Sequence, residues 1–293
     1  MGIHGKLSLP PTHVALPFVN PDIFVTAQVN GFSPNRKDKK LSPADLSFKV
    51  VDVYGIRLYV VVFPMDKGPG IIGVWQNPGT GVSTRLAEYI LPHLDTLKEV
   101  PFDTPGDGDV SAEKVPPPTW LPECEAHGKL RERITEILHR GALQPDKVKV
   151  KSDDVYLFPT GMASIYRAYD MATRWRRGTI VALGSIFHST WHLFSDSPDG
   201  FKHFGACDAT GNALKELEIY LQSEAKEGRK ISFVFLEFPS NPILVSADLN
   251  KLHRLVSWNT SDMPEREPLI VDSLAGRYIR LRSHSRRHRG QLL

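Results

Sequence analysis

Four short stretches carry the residue types that chemistry requires. Phe158-Pro-Thr-Gly-Met-Ala163 reads as the end of an apolar strand, a turn at Pro159–Gly161, and a helix opening on small residues. Thr160 is placed as the N-cap, so the N–H groups of Gly161, Met162 and Ala163 are expected to point out of a helix start, where a phosphate is favoured. Alone, the same pattern is an ordinary strand–turn–helix joint. Phe187, in Gly184-Ser-Ile-Phe-His-Ser-Thr-Trp-His192, supplies a ring that could stack on a flat aromatic group or equally fill a core. Glu237-Phe-Pro-Ser-Asn-Pro242 sets an acid and the Asn241 amide on a turn stiffened by prolines; its plain reading is a structural turn. Asp272 closes Pro-Leu-Ile-Val-Asp, where burial of a carboxylate demands a cationic partner. A protonated pyridine nitrogen is one such partner, and a helix-capping aspartate is the alternative.

The elements that must position these residues follow from periodicity. Strands are expected at Val155–Phe158, Thr179–Leu183, Ile231–Leu236 and Leu269–Val271, with helices at Met162–Arg176, Leu214–Glu227 and Leu249–Trp258 between them. Alternation of short apolar strands with helices predicts βαβ units and a largely parallel sheet. Sites in such sheets lie beyond the carboxyl ends of the strands. Gly161, Phe187, Asn241 and Asp272 all follow predicted strands.

Upstream, residues 1–48 are read as extended and partly disordered, with one short strand around Ile23–Val29. Phe48–Phe63 is β-branched and aromatic, which predicts two strands meeting near Gly55. Gly79-Thr80-Gly81 leads into a helix from Ser83 through Leu97, with Leu86, Ile90, Leu91 and Leu94 on its apolar face. No Lys-Ser/Thr follows these glycines, so a phosphate loop of the Walker type is excluded. Glu99–Thr119 reads as a linker, and a helix from Pro122 to His139 turns Leu130, Ile134, Ile137 and Leu138 to one side. The resulting divisions are an N-terminal segment over 1–48, an α/β region with its linker over 49–120, a partial large domain over 121–272, and a basic tail over 273–293.

Composition narrows the classes. At 41% hydrophobic and 24% charged, the 293 residues suit a soluble globular protein. Two cysteines, Cys124 and Cys207, give neither a disulfide framework nor metal-ligand spacing, and no membrane-length apolar run occurs, so the cytoplasm is expected. His188 and His192 share helical spacing, but no Glu or third ligand accompanies them, so zinc hydrolase chemistry is excluded. No Gly-x-Ser-x-Gly elbow supports a serine hydrolase.

Several stretches together resemble the Cys/Met-metabolism group of pyridoxal-phosphate (PLP) enzymes, most closely the fungal cystathionine γ-synthase type. They are Trp75-Gln-Asn-Pro-Gly-Thr-Gly-Val-Ser-Thr-Arg-Leu-Ala-Glu88, Leu130-Arg-Glu-Arg-Ile134, Phe158–Ala163, Phe187-His-Ser-Thr190, Phe201-Lys-His-Phe-Gly205, Glu237–Pro242 and Val271-Asp272. The likeness covers roughly residues 50–272. It implies a fold-type I (aspartate aminotransferase-like) α/β large domain, PLP as cofactor, O-acylhomoserine and cysteine as substrates, and a homo-oligomer. By position it implies that Gly161 and Met162 bind the cofactor phosphate and that Phe187 stands where the family has a stacking tyrosine. Asn241 would bond the phenolic oxygen, and Asp272 would pair with the pyridinium nitrogen.

One departure bears on mechanism. The family places its Schiff-base lysine in a Ser-x-Thr-Lys motif some tens of residues after the aspartate, whereas the last lysine here is Lys251. The chain is therefore expected to be C-terminally truncated and not to catalyse transsulfuration, leaving a non-catalytic PLP-binding fragment or a partner of full-length homologues as the alternative. From Arg277 to Leu293 there are six arginines and no acids, which leaves 30 basic against 33 acidic residues before them. Such a tail suits a nucleic-acid arm or a shifted reading frame after Asp272. The body carries no nucleic-acid motif, which favours the second reading. Replacing the six tail arginines by alanine is then expected to leave PLP affinity unchanged in an equilibrium titration; a large loss would contradict the shifted frame.

Overall fold

The computed structural model describes residues 2–32, 41–103, 110, 114–119, 123–140, 142, 146, 149–205, 212–240, 244–257 and 269–272. The chain divides into two compact units, Met1–Ala163 and Ser164–Leu293.

The first unit is built on an antiparallel sheet. Its elements are α1 (Ile3–Lys6), β1 (His13–Phe18), α2 (Ile23–Gly31), β2 (Ser47–Val53), β3 (Ile56–Pro64), α3 (Gly68–Gln76), α4 (Thr84–Ile90), β4 (Lys98–Val100) and α5 (Glu125–Arg140). The strand order is β1-β3-β2-β4. β2 and β3 form the expected hairpin, turning at Tyr54 (φ 49°) and Gly55 (φ 80°), the doubly left-handed turn whose twist matches the strands. Val50, Tyr59, Val61 and Phe63 pack on one face with Phe18, Ile23, Phe24 and Ile71. Val51, Val53, Leu58, Val60 and Val62 pack on the other with Ile90 and Leu94. With both faces covered, β3 is apolar at nearly every position.

Several expectations change here. The N-terminal segment is ordered over residues 2–32: β1 pairs along β3, and Ile23–Gly31 is a helix where a strand was expected. Burial of Ile23, Phe24 and Ala27 on one side decides this against the β-branched composition. The helix expected over 83–97 keeps its cap, with Leu86 N–H donating to Ser83 Oγ (3.2 Å), but α4 ends at Ile90. Pro92 follows, His93 leaves helical geometry, and Leu91 is exposed. The expected linker supplies β4 and a tie along the hairpin: Tyr59 donates to the Pro116 carbonyl (2.7 Å) and Arg57 N–H to Thr119 Oγ1 (2.9 Å). In α5 the expected apolar face is not buried, for Leu130 and Ile137 are exposed. Val155–Phe158 is not a strand; Tyr156 and Phe158 are exposed.

The second unit is the expected parallel α/β arrangement. α6 (Gly161–Trp175) runs into it, followed by β5 (Thr179–Leu183), α7 (His188–Ser195), β6 (Phe201–Phe204), α8 (Asn212–Lys226), β7 (Ile231–Glu237), α9 (Leu249–Ser257) and β8 (Leu269–Asp272). All pairings are parallel, in the order β6-β5-β7-β8. Val181, Leu183, Val234 and Leu236 face α8 and α9 through Leu214, Leu217 and Leu252. On the opposite face the Phe194 ring of α7 lies against Phe233 (5.5 Å) and Phe235 (5.1 Å). Sequence periodicity missed β6, a strand of mixed character that among the described residues pairs with β5 alone. No helix among the described residues is long and apolar enough to cross a membrane.

Two measurable consequences follow. Burial pushes the phenols of Tyr59 and Tyr169 up to about 12, and Tyr220 is displaced upward for the same reason. A phenol neutral in the folded chain and ionised on unfolding stabilises the fold below the ordinary value of 10 and ceases to do so as pH rises through 12. Alkaline titration of tyrosinate absorbance should therefore show a late fraction near pH 12 and stability falling between about 10 and 12; ionisation of all tyrosines together at their ordinary value would contradict this. Separately, Gly79 (φ 61°) has no room for a side chain, because a Cβ would lie 2.4 Å from Thr160 Oγ1 and 2.8 Å from Ala163 N, whereas a Cβ on Gly55 meets nothing. In urea unfolding, Gly55→Ala is expected to cost about 1 kcal/mol and Gly79→Ala about 2 to 3. Equal shifts would mean that the close approach is inconsequential.

Candidate functional site

In the parallel unit the chain leaves β5 for one edge of the sheet and returns across it to β7. The strand order therefore reverses between the carboxyl ends of β5 and β7, the place where open α/β sheets bind ligands. The loop Gly184–Phe187 after β5 and Glu237 ending β7 meet there, and Asp272 ends β8, the next strand beyond β7.

The loop after β5 is fixed at both ends. Gly184 adopts φ 78°, its N–H donates to the Phe204 carbonyl (2.7 Å), and its own carbonyl lies 2.8 Å from His203 Nε2. At the other end, Phe187 N–H donates to Glu237 Oε1 (2.5 Å), and Phe187 O accepts from Trp191 N–H (3.0 Å) to open α7. Phe187 occupies the N-cap with extended geometry and has no side-chain group to cap with, so both of its backbone groups are set by these bonds. Its ring is 51% exposed, while Glu237 is only 7% exposed. A large apolar residue so exposed is not part of a core.

Asp272 pairs in register with Glu237, so the two acids end neighbouring strands. Asn241 lies outside the described residues. Of the expected residues the sheet thus brings Phe187 and Asp272 to one edge. The part played by Glu237 was not foreseen. Its signal was present: an acid closing the otherwise apolar run Ile231–Leu236, at a strand end where burial requires a donor.

The other expected feature belongs to the first unit. Thr160 caps α6 as expected, accepting from Ala163 N–H (3.0 Å), and its hydroxyl donates to the Gly79 carbonyl (3.0 Å). Of the three N–H groups expected to point outward, that of Ala163 is therefore taken by the cap, and Gly161 and Met162 each engage a further interaction. The glycine turn at Gly79 thus packs on the helix start that carries Gly161 and Met162. No group of three or more metal-ligating side chains occurs among the described residues; His188 and His192 pair with each other, Nε2 to Nε2, at 3.0 Å.

Neither a family profile nor a solved structure matches the chain. Curated proteins do. An alanine racemase from Aspergillus violaceofuscus is 30% identical over 230 residues, covering 74% of this chain and 36% of that protein. A cystathionine γ-synthase-like enzyme from Amanita muscaria is 29% identical over 267 residues, covering 77% and 42% respectively. Cystathionine γ-synthase of Saccharomyces cerevisiae is 30% identical over 148 residues, covering 44% and 21%. The chain spans about two-fifths of the length of the first two relatives. On these relatives the chain belongs to the cystathionine γ-synthase-like family of PLP-dependent proteins.

Proposed function

We propose that this chain binds pyridoxal 5′-phosphate and represents part of a transsulfuration enzyme, one that replaces the acyl group of an O-acylhomoserine with cysteine in methionine biosynthesis. The observation that carries the reading is exposed Phe187 at the strand-order reversal, its backbone bonded to Glu237, whose strand neighbours the one ending in Asp272. The residues suit the group in kind: a face for its ring, a carboxylate for its nitrogen, and a capped helix start for its phosphate. When bound, PLP supplies an electron sink for a carbanion next to the substrate nitrogen.

The chain's own residues divide the work. Phe187 stacks on the cofactor ring and, lacking a hydroxyl, moves no proton. By the family resemblance, Asp272 would hold the proton on the pyridine nitrogen, Asn241 would bond the phenolic oxygen, and Gly161 and Met162 would serve the phosphate. No lysine follows Lys251 to make the covalent link or to act as base. The alternative reading is a cytoplasmic module that binds the cofactor without turning substrate over, acting as a partner of longer homologues.

PLP titrated into the 293-residue chain should give saturable binding that dialysis reverses and borohydride does not fix. No cystathionine should form from O-acylhomoserine and cysteine, and no D-alanine from L-alanine, the second assay being prompted by the racemase among the relatives. Either product would overturn the non-catalytic reading; absence of saturable binding would overturn the cofactor reading.

A further inference from the structure

Glu237 ends a fully buried strand, and its carboxylate accepts from a backbone N–H across the β5–β7 crevice, that of Phe187. A buried acid is costly unless donors satisfy it, and a short bond of 2.5 Å to a main-chain donor is the kind that fixes a loop. What the bond fixes here is specific. Phe187 O is already committed to the first helical bond of α7, so the Glu237 bond determines the remaining freedom of the Phe187 backbone and with it the direction of the ring. The preceding residues hang from Gly184, which is tied to β6. Without the carboxylate, the loop would keep its Gly184 tie and its helix, but the ring would be free to turn.

We infer that Glu237 is a positioning residue: through the Phe187 N–H it holds the Phe187 ring in the pose in which it stacks on a flat ligand bound at the strand-order reversal. The ligand being PLP rests on the functional reading above; the tie itself does not. The role assigned to Glu237 is indirect: it is exerted on the ligand through Phe187.

Three single variants and one double variant test this in the full chain. Glu237→Gln keeps an acceptor, Glu237→Ala removes it, and Phe187→Leu removes the ring. Amide exchange at Phe187, read without cofactor, should rise at least about tenfold in Glu237→Ala and stay near wild type in Glu237→Gln. PLP affinity should fall about tenfold in Glu237→Ala and in Phe187→Leu, recover in Glu237→Gln, and fall no further in the double variant, since the two residues act as one device. Additive losses in the double variant, or wild-type affinity in Glu237→Ala, would overturn the inference. Were Glu237→Ala to unfold, Glu237→Gln against Glu237→Leu would carry the same comparison. If the wild-type chain binds no PLP, the cofactor reading fails and the stacking role with it, while the exchange rates still confirm or refute the tie.

Discussion

The pairing of β5 with β7 is the constraint on which the second unit rests. Residues Ile180–Leu183 align with Phe233–Leu236 in parallel, and this requires the chain to travel out to β6 and come back over the sheet before β7 can form. Parallel strands tolerate no solvent-facing side, so α7 must cover one face and α8 and α9 the other. The same pairing opens the crevice at the carboxyl ends. Glu237 reaches the loop after β5 because it closes the strand hydrogen-bonded beside it.

Much of this was legible from residue patterns, because parallel α/β units write themselves as apolar runs of strand length alternating with amphipathic helices. Thr179–Leu183 and Ile231–Leu236 could be read directly, and the carboxyl-end rule then pointed to Phe187 and Asp272. The hairpin was equally plain from its β-branched run and the Tyr54-Gly55 turn. Legibility failed where tertiary burial overrode local preference. Ile23–Gly31 carries Val25, Thr26 and Val29, yet it is helical because its apolar residues bury at helical spacing in the first unit's core. Val155–Phe158 has strand composition but pairs with no strand among the described residues, and β6 pairs despite carrying Lys202 and His203 because β5 offers it an edge.

Site chemistry was less readable than site location. Residue types announced a stacking ring and a strand-end acid, but not that the N–H of the ring's own residue would be bonded to another acid on the adjacent strand. Such a link joins positions fifty apart in the chain, and no local spacing records it. The cap at Thr160 was local and was read correctly. What lay against it, the Gly79 turn, again came from far away in sequence.

The two sheets also differ in how far the chain must travel to build them. In the antiparallel unit, Val53 meets Ile56 across a tight turn, and the ladder can zip outward from there with little loop entropy to overcome. In the parallel unit every pairing closes a long excursion, the longest linking Ile180 to Phe233 around an intervening strand and two helices. High contact order slows nucleation, so topology gives the β2–β3 hairpin an early start, whereas the β5–β7 pairing that joins Phe187 to Glu237 must wait for a long loop to close.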